Sequence, residues 1–182
     1  MEKRKIYILL TKLPGKRSSV IRFATRSYYA HASIGLEEDT DTFYSFVIKK
    51  GFIVEKLTRY IKPDRAPFPC QLYELEVTED VYMKVKSIIR HYIEIKDRLH
   101  YSKLGLFLSI LHIPYKRNQL GFFCTQFVAE VLKSAGAVML THKPSHYFSK
   151  HLKLLPGMKL NYQGNLKTLI EHFKLKAVQT QS

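Results

Sequence analysis

The chain has 182 residues, 46% hydrophobic and 13% aromatic, which suffices for one compact domain with a real core and excludes a disordered chain. Thirty basic against 15 acidic residues give a net charge of +15, which suits an anionic partner or serves solubility. The charge is spread out and carries no zinc-finger, RGG or RNP-type pattern, which argues against a nucleic-acid binder.

The start, Met1 to Lys5 and then Ile6 to Leu10, superficially resembles a signal peptide. Its apolar run is too short and ends at Lys12, with no small-residue cleavage site, so a first strand over Ile6–Thr11 is expected. Pro14-Gly15 turns the chain, and Ser18 or Ser19 would cap a short helix through Ser27 with Val20, Ile21, Phe23 and Ala24 as its apolar part. In the next predicted strand, Tyr28 to Leu36, alternation separates Ala30, Ala32, Ile34 and Leu36 from His31, Ser33 and Gly35. The first set packs; the second, an imidazole followed by small residues, reads as the wall of a cleft.

An acidic turn, Glu37 to Asp41, leads to a predicted hairpin of Phe43 to Ile48 and Phe52 to Leu57 around Lys49-Lys50-Gly51. A proline-rich loop, Lys62 to Pro69, precedes a strand over Gln71–Val77. Thr78-Glu79-Asp80 is a helix start, and Val81, Val85, Ile88, Ile89, Tyr92 and Ile95 recur at helical spacing up to about Asp97. Leu104 to Ile113 is apolar but below the roughly 18 residues of a membrane span. It reads first as core, although with the basic charge it permits peripheral contact with an anionic membrane.

Phe127, Val128, Val131, Leu132 and Ala135 form one helical stripe that Gly136 closes, so Cys124 stands at a helix N-terminus. The first-turn N–H groups and the helix dipole favour negative charge there, which suits a thiolate nucleophile. Pro144 opens a further short helix, Met158–Tyr162 reads as a last strand and Leu166–Phe173 as a last helix, with a polar, frayed tail from Lys174. One domain is expected over residues 1–176, with a disordered tail at 177–182. The two cysteines, Cys70 and Cys124, form no disulfide framework, and Cys70 reads as a structural thiol. A reduced, cytoplasmic protein is expected, without signal peptide or transmembrane helix. His142, His146 and His151 lack a Cys or carboxylate partner and have Pro144 among them, so no metal is expected, and no cofactor.

A cysteine at a helix start and a histidine on a facing strand are the parts of a thiol–imidazole dyad. The segments Tyr29-Ala30-His31-Ala32-Ser33-Ile34-Gly35-Leu36 and Phe123-Cys124-Thr125-Gln126-Phe127-Val128, in that order, resemble the circularly permuted branch of the NlpC-type papain-like superfamily. That branch holds YiiX-like bacterial proteins and lecithin:retinol acyltransferase relatives. The resemblance covers roughly residues 5 to 165. It implies an α+β papain-like (permuted) fold, an antiparallel sheet or half-barrel packed on helices, with the catalytic cysteine at a helix N-terminus. It also implies Cys124 as nucleophile, His31 as general base, and a polar residue on the following strand to orient the imidazole. That third position falls on Ser45, where relatives carry a carboxylate, amide or histidine; Glu37 and Thr42 are weaker alternatives. The implied activity is a cysteine hydrolase (amidase or peptidase) or acyltransferase working through a Cys124 thioester on a small-molecule, peptide or lipid-like substrate. The oxyanion would lie at the Cys124 backbone N–H, with Tyr28 or Tyr115 as added donors. The alternative is a non-catalytic papain-like binding module for a lipid or anionic ligand, since a serine cannot stabilise imidazolium as a carboxylate does.

Overall fold

A computed structural model of the chain describes residues 3–60, 68–115 and 120–179, with side chains to Phe173. It is an α+β protein built on one six-stranded antiparallel sheet. β1 (Lys3–Thr11), β2 (His31–Leu36), β3 (Thr42–Val47), β4 (Gly51–Lys56), β5 (Pro69–Thr78) and β8 (Met158–Asn165) lie in the order β4-β3-β2-β1-β5-β8. The helices are α1 (Lys16–Thr25), α2 (Glu79–Glu94), α3 (Lys103–Ile110), α4 (Cys124–Ser134), α5 (Ser149–Leu152) and α6 (Leu166–Gln179). A short parallel pair, β6 (His100–Tyr101) and β7 (Gly121–Phe122), stands apart from the sheet.

β1 is apolar on both faces because the sheet is covered on both. Ile6, Ile8 and Leu10 join Ala32, Ile34 and Leu75 in a core with the buried faces of α2 and α4. Leu9 joins Phe43, Leu57, Leu72 and Cys70 in a second core under Leu169, Ile170 and Phe173 of α6. α6 runs to Gln179, so the chain beyond Lys174 continues the helix rather than fraying, and 177–179 are helical, not a disordered tail; residues 180–182 lie outside the described residues. Most of the proline-rich loop (61–67), and Lys116 and Arg117, lie outside them too.

β2 is buried throughout, so its second face is a cleft wall only at His31. Gly35 is instead covered by the Phe43 ring: a Cβ at Gly35 would come within 2.7 Å of Phe43 Cε1. The first helix also departs from expectation. Among α1 residues only Thr25 is buried, while Val20 and Phe23 face solvent. Its four-residue apolar cluster, Val20 to Ala24, is too short to make a stripe along two turns.

The N-terminal half of α4 is held by an aromatic cluster. Phe127 lies with its ring centroid 5.2 Å from Phe46, 5.6 Å from Phe52 and 5.1 Å from Tyr92. Phe122, just before the helix, sits 5.3 Å from Phe46. Such pairs each add about 0.5–1.5 kcal/mol beyond burial of area. They tie the start of α4 to the β3–β4 hairpin, which carries part of the site.

Candidate active site

α4 begins at Cys124, preceded by Phe123 in extended conformation. Phenylalanine offers no acceptor, so no side chain caps the helix, and the first-turn N–H groups remain turned toward the site. At the other end Gly136 takes φ +74°, and the N–H of Ala137 bonds the carbonyl of Leu132 at 2.9 Å, the closure expected of that glycine.

Cys124 is 5% exposed, with its sulfur 3.8 Å from the carbonyl of Ala30, the residue before His31. It stands close enough to the His31 ring to favour the charged form of the imidazole. His31 Nε2 in turn lies 2.7 Å from Glu55 Oε1, and both side chains are almost wholly buried. With Nε2 committed to the carboxylate, Nδ1 is the ring nitrogen left for the thiol. Burial opposes charge on this imidazole, but the Glu55 carboxylate and the Cys124 sulfur, which favour a protonated ring, outweigh it and push its pKa up to about 10. His31 is therefore held as imidazolium at neutral pH.

The side chain that bonds the His31 ring is Glu55, on β4, and not Ser45. The Ser45 hydroxyl donates to the carbonyl of Ala32, on the neighbouring strand, at 2.6 Å. A buried hydroxyl takes the nearest backbone acceptor, and the ring is left to a longer side chain one strand further out. Glu37 pairs with Arg4, and Thr42 donates to Asp39, so neither alternative reaches the ring. Glu55 had a legible signal: it alternates with Ile53 and Leu57, an acid on an otherwise apolar face. The hairpin register pairs it with Phe43, on the same sheet face as Gly35 and His31. Tyr60 stands beside Glu55 with its hydroxyl 3.5 Å from Oε1.

Tyr101 is a second residue that the sequence reading passed over. It borders the space at Cys124, whereas Tyr28 and Tyr115 do not. The β6–β7 pairing fixes it there: the N–H groups of His100 and Ser102 bond the carbonyls of Leu120 and Phe122 at 3.0 and 2.9 Å. Burial, and then the charge at Cys124, hold the Tyr101 phenol well above its ordinary value. It stays protonated and able to donate. Cys70 is fully buried in the second core, and burial pushes its thiol up to about 12, so it is held as the neutral thiol.

A cleft of about 450 Å³ opens beside the pair, bordered by Pro14, Gly15, Arg17 and Ile21 on one side and Phe46 and Tyr101 on the other. The histidines near the chain's later loops lie elsewhere. His142 and His146 have ring centroids 6.4 Å apart, and His151 Nδ1 accepts from the N–H of Phe148 at 3.2 Å. Among the described residues, no three His, Cys, Asp or Glu side chains stand close enough to hold a metal ion. No described helix is long and apolar enough to cross a membrane.

No protein-family model matches the chain, and no curated protein matches it at a significant level.

Proposed function

We propose that the chain is a thiol-dependent acyl hydrolase or acyltransferase of the permuted papain-like kind, with Cys124 as nucleophile, His31 as general acid and base, and Glu55 as the group that orients and charges the imidazole. The observation that carries this reading is the buried Cys124–His31–Glu55 chain, with its 2.7 Å ring-to-carboxylate contact, opening on a cleft. A carboxylate on one ring nitrogen and a thiol beside the other is the arrangement that an acyl-transfer site uses.

In the resting pair the thiol proton already lies on His31, so a thiolate stands beside an imidazolium whose Nε2–H donates to Glu55. The thiolate attacks the carbonyl carbon of an amide or ester, and the carbonyl electron pair moves onto oxygen. First-turn N–H groups of α4 meet that oxyanion, with the Tyr101 hydroxyl as a second donor. As the intermediate collapses, the imidazolium protonates the leaving amine or alcohol and a thioester remains on Cys124. Water, or another nucleophile, loses its proton to the now neutral His31 and attacks the thioester, returning the thiol. The carboxylate at Glu55 answers the doubt that a serine in the third position raised, and favours the catalytic reading over a binding module.

The test is the rate of iodoacetamide alkylation at Cys124, read by peptide mass spectrometry from pH 5 to pH 10, in the native protein and in His31→Ala. The proposal expects fast alkylation already at pH 6, and a rate in His31→Ala that falls to that of an ordinary thiol. Alkylation at pH 6 no faster than an ordinary thiol, and unaffected by His31→Ala, would overturn it.

A further inference from the structure

Two helices border the space at Cys124. α1 contributes Ile21 and Thr25 to the space at the cysteine, and α3 contributes Leu106. Beside those wall residues each helix leaves large apolar side chains in solvent. On α1, Val20 is 67% and Phe23 87% exposed; on α3, Leu104 is 68% and Phe107 58% exposed. Leu111 and Ile113, just past α3, are exposed as well. α3 is apolar round most of its circumference, a composition that belongs in a core or in contact with lipid. Single exposed apolar residues need no explanation, but a run of them on two neighbouring helices at a cleft does.

The charge around these helices is one-sided. Residues 11–36 contain Lys12, Lys16, Arg17, Arg22 and Arg26 and no acid, and residues 98–129 contain no acid either. Glu55 apart, which is buried against His31, a group of acids (Glu37, Glu38, Asp39, Glu76 and Glu79) lies at the other end of the sheet, where Lys3 pairs with Thr78 and Ile6 with Leu36. There they are already neutralised: Glu37 and Glu79 by Arg4, Glu38 by Lys86, Asp39 by Lys56, Glu76 by Lys3 and Lys159. Basic residues without an acid in their own segment thus stand at the end of the molecule that holds His31, mixed with exposed apolar side chains. That pairing of basic and apolar groups complements an anionic bilayer, whose surface attracts the cations while its acyl region takes the aromatic and aliphatic tips.

We infer that α1 and α3 dock the protein peripherally on an anionic lipid bilayer, so that the Cys124 cleft opens against the membrane surface and draws its substrate from it. The inference rests on the proposed thiol chemistry only for what happens after docking. Phe23 and Phe107 enter the interface, and Lys16 and Arg17, at the cleft edge, meet the lipid headgroups.

Co-sedimentation with vesicles tests it directly, at physiological salt, with phosphatidylcholine vesicles and with vesicles containing phosphatidylglycerol. The native protein is expected to bind the second and not the first. Phe23→Asp combined with Phe107→Asp, checked for folding by circular dichroism, should weaken binding tenfold or more, as should Lys16→Glu with Arg17→Glu. Lys84→Glu with Arg90→Glu changes the net charge by the same amount on α2 and should leave binding within about twofold. Equal weakening by the α2 pair would mean attraction without a docking face and would overturn the inference, as would absence of binding by the native protein. The two proposals fail separately. Vesicle binding by a protein whose Cys124 alkylates as an ordinary thiol refutes the chemistry alone. A reactive Cys124 in a protein that ignores vesicles refutes the docking alone.

Discussion

Replacing Glu55 by glutamine is the sharpest perturbation of the site. The amide keeps the shape of the side chain and can still bond the ring, but it removes the charge 2.7 Å from His31 Nε2. Burial would then favour the neutral imidazole, with only Cys124 left to oppose it. A fall from about 10 to the ordinary 6.5 or below moves proton transfer from thiol to imidazole back by about three powers of ten or more. The thiolate present at neutral pH should shrink accordingly, down to the floor set by an ordinary thiol. Iodoacetamide alkylation of Cys124 at pH 6 should therefore slow by about 10²-fold or more in Glu55→Gln, and its pH profile should become that of a simple thiol. Glu55→Asp, which restores charge at a longer reach, should recover part of the rate. Cys70, buried and held as a neutral thiol, provides an internal slow reference in the same digest. A Glu55→Gln protein that alkylates within twofold of the native protein at pH 6 would refute the carboxylate's role.

Stability should fall as pH rises. The folded-state pKa of His31 is raised, so its contribution is fully present below about pH 6.5 and is lost as pH climbs toward about 10, by at most about 1.4 kcal/mol per pH unit. Urea midpoints measured between pH 6.5 and 10 should decline, and His31→Asn should flatten the decline; an unchanged slope would count against the charged imidazole. Tyr101→Phe should lower kcat on any ester or amide substrate found by screening while leaving iodoacetamide alkylation within about threefold, since alkylation forms no oxyanion. Equal losses in both would assign Tyr101 to the thiolate instead. Phe127→Ala should cost about 3–5 kcal/mol in urea unfolding, because the ring fills the junction of α4, α2 and the hairpin. Gly51→Ala should lower Tm markedly: its φ is +69°, and a Cβ there would lie 2.2 Å from the Leu99 carbonyl oxygen, which is backbone and cannot swing aside.

How much of this could be read from residues alone depended on whether a local pattern carried the information. The strands β1 to β5 and the helices α2 and α4 have strong periodicity or turn signals, and they lie within a few residues of their expected places. Cys124 at the start of α4 follows from one helical stripe and one glycine, and His31 from one alternating strand. Glu55 escaped because its role depends on two successive strand pairings that bring β4 round to His31, a non-local fact that Ser45 seemed to satisfy by proximity in sequence. Tyr101 escaped for the same reason: a two-residue parallel pairing positions it, and nothing in its neighbourhood marks it. α1 and α3 were expected to bury apolar residues because apolar residues usually are buried. Their exposure is a property of what the sheet leaves uncovered.

The proposed chemistry requires His31 to carry a proton beside Cys124 at neutral pH. Nitrogen NMR of ¹⁵N-histidine-labelled protein reads that state directly, with His31→Gln assigning the signal. Two protonated ring nitrogens on His31 at pH 7.5, titrating near pH 10 and collapsing to a single neutral tautomer in Glu55→Gln, are the expected result. A His31 ring already neutral at pH 7.5, titrating at 6.5 or below in the native protein, would contradict it.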